Sequence, residues 1–139
     1  KVRSRTVRPM DVLLDTCAVL WAVSSPALMS ARARQVLAGD DTVPHVCAIS
    51  AAEIACGCER GRIRLDRHWK TWFRHYVERN GWTCLPIDLG VVEEAYSLPP
   101  PFHADPADRI LVATARVRGL TILTADRRIL DYPHVASVW

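Results

Sequence analysis

Short apolar runs with strand character alternate along this chain with segments of helical periodicity. Strands are predicted at 10–15, 82–87, 120–124 and 136–139, with a weak strand or loop at 42–49. Helices are predicted at 16–24, 30–39, 50–61, 66–81, 88–98, 107–119 and 125–130. Strands that alternate with helices favour a parallel sheet covered by helices on both faces. We therefore predict an α/β fold, a three-layer α/β/α sandwich with a central, mainly parallel sheet.

The domain organisation follows from length and composition. The 139 residues are enough to bury one core, and neither a repeat nor a shift in composition divides them. We predict a single domain over residues 10–139. Residues 1–9 carry basic side chains and no acidic ones. We interpret them as a basic N-terminal extension, either a flexible arm or a segment that precedes the native start.

Hydropathy and charge argue against some classes of protein. No apolar run reaches the roughly 18–20 residues that cross a bilayer, and Asp11 and Asp15 interrupt the place where a signal peptide would need its apolar segment. We therefore expect a cytoplasmic protein without membrane contact. The net charge of +3 is carried mainly by arginine, since Lys1 and Lys70 are the only lysines. This composition suits phosphate binding but does not establish it.

The cysteines do not form a recognisable framework. Their odd number and irregular spacing exclude a complete set of disulfides, and no second pair stands at zinc-like spacing from Cys56 and Cys58. We expect reduced thiols, as is usual in a reducing compartment. The five cysteines are Cys17, Cys47, Cys56, Cys58 and Cys84.

Four acidic residues stand where the predicted strands end or the predicted helices begin. Asp15 and Asp126 follow the apolar runs "DVLL" and "TILTA", and we expect each to be the first residue past a strand. Asp108 is expected in the first turn of the 107–119 helix, and Glu53 in the first turn of the 50–61 helix, in a capping box with Ser50. In a parallel sheet these positions meet at the carboxyl edge, where ligands bind.

Each of these acids has a simpler interpretation as a helix cap. Taken together they favour a cation site, because clustered like charges raise one another's pKa values unless a divalent ion neutralises them. Mg²⁺ and Mn²⁺ prefer oxygen ligands. A metal-activated water that attacks a phosphodiester suits such a cluster.

Four segments of the chain occur in a distinctive order: "LLDTCAVLW", "ISAAEIACGCERGRI", "HADPADRILVATA" and "GLTILTADRRILDYP". Together they resemble the PIN domain, specifically the VapC-type toxins of bacterial toxin–antitoxin pairs, from about Met10 to Trp139. The resemblance implies a metal-dependent endoribonuclease of the bacterial cytoplasm. It also implies a homodimer that a cognate VapB-type antitoxin holds inactive.

The resemblance further implies an acidic site that binds one or two Mg²⁺ or Mn²⁺ ions. Asp15 and Asp108 would be the most direct ligands, with Glu53 and Asp126 completing the pocket. The supporting hydroxyls would be Thr16, Ser50 and Thr124. The family often has aromatic residues where this chain has Ala52 and Ala107, a departure that concerns packing beside the site more than ligation.

The "HADPADR" segment leaves three roles open. Asp105 precedes Pro106, a pattern typical of a helix N-cap, so we favour a cap over a metal ligand. Arg109 could contact RNA or pair with an acid. His103 could act as a general base, but a histidine in a proline-rich loop is expected to be a surface or hinge residue.

Basic and aromatic residues elsewhere also have two interpretations. Arg127 and Arg128 flank Asp126 and could bind RNA phosphates, or they could be solvated surface residues. The aromatic stripe from Trp69 to Tyr76 is either core or a groove for the antitoxin.

Two other functions compete with the nuclease. A catalytically idle PIN-like module would only bind RNA or a protein, but the complete acid set argues against it. A haloacid-dehalogenase-type phosphatase needs a second Asp two residues after the first, where this chain has Cys17.

Overall fold

The computed structural model describes residues 10–139, so the predicted N-terminal extension lies outside the described residues. The strands are β1 (Met10–Leu14), β2 (Thr42–Cys47), β3 (Thr83–Leu85), β4 (Thr121–Leu123) and β5 (Ser137–Val138). The helices are α1 (Thr16–Ser24), α2 (Ala31–Ala38), α3 (Ala48–Glu59), α4 (Trp69–Arg79), α5 (Leu89–Ala95), α6 (Pro106–Arg118) and α7 (Arg127–Leu130), with a 3-10 turn at Pro26–Leu28.

The five strands form one sheet in the order β3-β2-β1-β4-β5, and every neighbouring pair is parallel. The predicted parallel α/β sheet is therefore confirmed. The chain builds outward from β1 first on one side and then on the other, so the strand order reverses between β1 and β4. Ligand sites in such sheets lie at this reversal, beyond the carboxyl ends of the strands.

The sheet is buried on both faces. Successive side chains of a strand point to opposite faces, and along β1 Val12 and Leu14 join one apolar cluster while Leu13 joins the other. The cluster around Leu13 contains residues of α5 and α6, and the cluster around Val12 contains residues of α1 to α4. Helices thus cover each face, which is the predicted three-layer sandwich.

Strand β2 is a regular interior strand of the sheet where the sequence predicts only a weak strand or a loop. It pairs with β1 and β3 although Pro44, opposite Val12, has no N–H to donate. Beside it, His45 Nδ1 hydrogen-bonds to the carbonyl oxygen of Val12 at 3.2 Å. Pairing with strands on both sides therefore keeps β2 in the sheet, although its proline lacks one hydrogen-bond donor.

The middle of helix α6 is buried on all sides. All residues from Ile110 to Ala115 are buried, whereas Val117 in the last turn is 53% exposed. Helix α6 contacts α5, α3 and β4. Because these neighbours lie on several sides, the middle of α6 is enclosed and its last turn is not.

Two predictions on chain-wide properties can be compared with the structure. All five cysteines are free thiols, as expected. Across residues 10–139, no helix is both long enough and apolar enough to span a membrane.

Candidate active site

Asp15 is held rigidly where β1 ends and α1 begins. Its Oδ1 accepts a hydrogen bond from the Ala18 N–H at 2.8 Å and so caps α1, while its Oδ2 accepts one from the Thr124 hydroxyl at 2.5 Å. The residue is 8% exposed. Burial raises the pKa of Asp15 to about 6, although the bonds from Thr124 and Ala18 oppose that rise and the charges of Asp108 and Asp126 add to it. Asp15 is therefore both a helix cap and a wall of the site.

Thr124 joins the ends of β1 and β4. It is fully buried, donates to Asp15, and its Oγ1 accepts the N–H of Asp126 at 3.0 Å. Asp126 is thus the third residue past β4, not the first as predicted, because β4 ends at Leu123 and Thr124 turns its hydroxyl into the site. The Asp126 carboxylate caps α7 through the N–H of Arg128 at 2.9 Å.

The predicted capping box of Ser50 and Glu53 is wrong. Strand β2 runs directly into α3, and Cys47 is the N-cap, so Ser50 is the third helical residue and Glu53 lies in the second turn. There both side chains meet Thr16: its hydroxyl donates to Glu53 Oε1 and lies 3.0 Å from Ser50 Oγ. Since Thr16 has one proton to give, Ser50 donates to Thr16. Burial raises the pKa of Glu53, the Thr16 bond opposes this, and the charges of Asp108, Asp105 and Asp15 add to it.

Helix α6 begins as predicted. Asp105 is its N-cap, accepting the Asp108 N–H at 3.1 Å, and Pro106 is its first residue. Asp108 lies in the first turn and its Oδ2 contacts His103 Nε2 at 2.7 Å. His103, expected to be only a surface or hinge residue, therefore also contacts an acid of the site. Burial raises the pKa of Asp108, the His103 hydrogen bond lowers it, and the charges of Asp105 and Asp126 raise it further.

Arg109 anchors the proline-rich loop, a role that the sequence did not predict, and its contact with RNA stays a prediction. Its guanidinium donates to the carbonyl oxygens of Ala95 and Phe102, each at 3.0 Å, and packs against the Tyr96 and Phe102 rings. It forms no ion pair with an acid among the residues that the structure describes. Its effect on the site is indirect, because it fixes the main chain next to His103.

The two arginines of α7 have different partners. Arg127 pairs with Asp131 at 2.8 Å on the surface. Arg128 contacts Asp126 at 3.1 Å and Asp108 at 3.3 Å. Burial by itself would raise the pKa of Asp126, but the hydrogen bonds and charge of Arg128 lower it overall. Of this pair only Arg128 contacts acids of the site, and contact of Arg127 with RNA stays a prediction.

One cavity of about 300 Å³ collects the predicted acids. It is lined by Asp15, Thr16, Cys17, Trp21, Glu53, Asp108, Leu111, Ala125 and Asp126. The ligand atoms of His103, Asp105 and Asp108 lie within 4.8 Å of one another, a second arrangement that shares Asp108 and could also hold a cation. Several carboxylates with raised pKa values face one small cavity, so the donor set suits a hard divalent cation.

Two residues of this region were missed or misjudged from the sequence. Cys17 lines the cavity, and burial, together with the charges of Asp15 and Glu53, raises the pKa of its thiol to about 11. Its position two residues after Asp15, in the first turn of α1, was the available signal. For His103 the signal was its place five residues before Asp108, close enough to bridge the start of α6.

Comparison with known proteins places the chain in a family. The model of the PIN domain matches residues 12–135. Ribonuclease VapC22 of Mycobacterium tuberculosis is 34% identical over 130 residues, which cover 92% of this chain and 98% of that protein.

Solved structures share the fold at low sequence identity. VapBC2 from Rickettsia felis, bound to a DNA fragment from its promoter, has a TM-score of 0.67 at 13% identity over 94% of this chain and 99% of its own. FitAcB from Neisseria gonorrhoeae has a TM-score of 0.60 at 23% identity over 92% of this chain and 96% of its own. The extent of the family match and the identity with a ribonuclease of nearly equal length show that this chain belongs to the PIN-domain family.

Proposed function

We propose that this protein is a metal-dependent endoribonuclease that hydrolyses RNA phosphodiester bonds. The observation that carries the proposal is the placement of four carboxylates, those of Asp15, Glu53, Asp108 and Asp126, on one cavity at the reversal of strand order. The identity with Ribonuclease VapC22 over nearly the whole chain supports RNA as the substrate class.

Asp15 and Asp108 are the residues that would hold Mg²⁺ or Mn²⁺ most directly, with Glu53 and Asp126 binding one or two ions alongside them. When bound, the ion supplies positive charge next to the phosphodiester and activates water for attack on phosphorus. Because the pKa of Asp15 is about 6, this carboxylate is mostly ionised above neutral pH and can act as a ligand.

Hydroxyl groups orient these carboxylates before any substrate arrives. Thr124 holds Asp15 Oδ2 from the β4 side, and Thr16, supported by Ser50, holds Glu53 Oε1 from the α1 side. Such outer contacts fix the direction in which a carboxylate presents its oxygens to a cation. Arg128, at the exposed side of the cavity, is the basic residue best placed to contact RNA phosphate.

An antitoxin of the VapB type is the proposed inhibitor, since VapBC complexes are among the structures that share this fold. A largely apolar groove of about 830 Å³ lies between α3 and α4 and suits an amphipathic segment. Of the aromatic stripe, Trp72 and Phe73 are buried in the core, Phe73 also lines the groove, and Trp69 lies half-buried on the groove wall.

A homodimer in the cytoplasm completes the proposal. Leu89, Val92 and Tyr96 of the α5 segment stand at i, i+3 and i+7 and are 72%, 39% and 60% exposed. An exposed apolar stripe of this kind is typical of a protein interface.

Charged substitutions distinguish the dimer surface on α5 from the antitoxin groove between α3 and α4. Tyr96→Glu should give a monomer that still binds the antitoxin, and Trp69→Glu should give a dimer that does not bind it. Light scattering and co-purification with the antitoxin would measure each.

Cleavage of RNA by the purified protein tests the central proposal. Wild type is compared with Asp15→Asn and with Asp11→Asn, an exposed acid on the same strand, in Mn²⁺, Mg²⁺ or EDTA. Discrete fragments that require both the cation and Asp15, but not Asp11, are expected. If no lane shows cleavage and the protein binds no divalent cation, the idle binding module becomes the better interpretation.

A further inference from the structure

The guanidinium of Arg128 covers carboxylate oxygens that the proposed cation would need. Its Nε contacts Asp126 Oδ1 at 3.3 Å and its terminal nitrogen contacts Asp126 Oδ2 at 3.1 Å, so both oxygens of Asp126 are engaged. The same terminal nitrogen reaches Asp108 Oδ2 at 3.3 Å. One nitrogen atom thus bridges two acids on different elements, α6 and the start of α7, as a bound cation would.

The energetics of this contact favour easy exchange. The Arg128 side chain is 61% exposed, and ion pairs in contact with solvent contribute little to stability. The arginine cannot lose its charge at physiological pH. It can therefore neutralise the two acids when no other cation is present, and it can leave them at a small cost.

From these contacts we infer that Arg128 is a built-in counter-ion that competes with the divalent cation for Asp108 and Asp126. The inference rests on the proposed function, because it assumes that a divalent cation binds at these acids. In the absence of the ion, Arg128 limits the repulsion between the acids. Binding of the ion displaces the guanidinium toward solvent, on the side where RNA phosphate would be contacted.

The chain supplies a matched control for this competition. Arg127 carries the same charge on the same short helix, is 76% exposed and pairs with Asp131 outside the cavity. Replacing Arg127 removes a positive charge close to the site without releasing any acid of the site. A difference in cation affinity between the two replacements therefore reports direct competition for the acids. It does not report the loss of one positive charge near the site, because both replacements share that loss.

The test is the Mn²⁺ affinity measured by calorimetry without RNA for wild type, Arg128→Gln, Arg128→Lys, Arg127→Gln and Asp15→Asn. Arg128→Gln should bind Mn²⁺ about two- to fivefold more tightly than Arg127→Gln, the range that weak exposed ion pairs allow. Arg128→Lys keeps the charge without the two-pronged contact and should fall between Arg128→Gln and wild type.

The outcomes separate the inference from the proposed function. Equal Mn²⁺ affinity in Arg128→Gln and Arg127→Gln, or weaker binding in Arg128→Gln, would overturn the competition, provided that Asp15→Asn abolishes binding. Absence of any Mn²⁺ binding that depends on Asp15 would overturn the proposed function, and the competition with it.

Discussion

The acidic cavity has two sides whose carboxylates have different kinds of partner. On the β1–α3 side, Asp15 and Glu53 receive hydrogen bonds from neutral hydroxyls of Thr124 and Thr16. On the α6–α7 side, Asp108 and Asp126 face His103 and Arg128, and the arginine is a full positive charge.

The two kinds of partner have different effects on the charge of the carboxylates before any cation binds. A hydroxyl orients a carboxylate but leaves its charge in place, so the β1–α3 side keeps raised pKa values for both acids. A guanidinium compensates the charge and lowers the pKa of Asp126, whereas the pKa of Asp108, which Arg128 contacts through one oxygen, stays raised by burial. The first side is rigid and uncompensated, and the second is compensated by an exposed side chain that can move.

The largest expected effect comes from removing an acid on the rigid side. Asp15→Asn should lower the rate of RNA cleavage at least a hundredfold, because changes in the groups that merely support a metal ligand already cost about 10–100-fold. Asp126→Asn should cost about tenfold less than this, since Asp126 is more exposed and already compensated by Arg128. Initial rates at saturating Mn²⁺ measure both. Equal losses would remove the functional distinction between the two sides.

Next in size is the loss of the hydroxyl between β1 and β4. Thr124→Val keeps the shape of the residue but leaves Asp15 Oδ2 and the Asp126 N–H without their buried partner. We expect a loss of about 10–100-fold in cleavage and about 1–3 kcal/mol in the free energy of unfolding.

Thr124→Ser retains the hydroxyl and serves as the control, so it should recover most of the activity in the same assay. A fully active Thr124→Val protein would contradict the role of this hydroxyl in orienting Asp15.

The pH dependence of the free energy of unfolding measures the effect of the uncompensated charge of Asp15. The pKa of Asp15 is about 6 in the folded protein and 3.8 as its ordinary value, so the folded state binds the proton more tightly. The stability this proton contributes is complete below pH 3.8 and is lost as the pH rises through 6. At pH 8 without metal, the ionised carboxylate costs the fold up to about 3 kcal/mol.

Asp15→Asn should therefore raise the free energy of unfolding by about 1–3 kcal/mol at pH 8 in EDTA, and the gain should vanish near pH 4. Urea unfolding at pH 4, 6 and 8 measures it, with Asp11→Asn as the exposed control. A gain that does not change with pH would mean that the charge of Asp15 is not what destabilises the fold.

The smallest effect is expected on the compensated side. His103→Ala removes one donor from Asp108 Oδ2, but Arg128 still contacts that oxygen. We expect less than a tenfold loss in cleavage at saturating Mn²⁺, and His103→Gln should retain more of the activity than His103→Ala. A loss as large as that of Thr124→Val would show that His103 is as important to the acids as the hydroxyls are.

Several features could be predicted because they depend on neighbours in the sequence. The Asp105–Pro106 start of α6 and the glycine that ends it at Gly119 are local signals, and the structure has both. The alternation of strands and helices likewise predicts the layers, since each element carries its own periodicity. Asp15, Glu53, Asp108 and Asp126 could be selected as site candidates because each was predicted near the end of such an element, although Glu53 in fact lies in the second turn of α3.

Other features were mispredicted because partners distant in sequence decide them. Helix α3 begins two residues earlier than predicted, because β2 is a full strand between two neighbouring strands and leads into α3 without a loop. Arg109 bonds to carbonyl oxygens that the proline-rich loop brings to it. Its place next to Asp108 in the sequence had suggested that Arg109 pairs with an acid.

What the sequence determined by itself is the fold class, the order of its elements and the set of candidate acids near their ends, because periodicity and capping are encoded within a few residues. What only the tertiary structure decided is which group compensates each acid. Thr124 meets Asp15 across 109 residues and Arg128 meets Asp108 across 20. Hydrogen bonds and charges act over a few ångströms of space, and the fold alone determines which residues come that close.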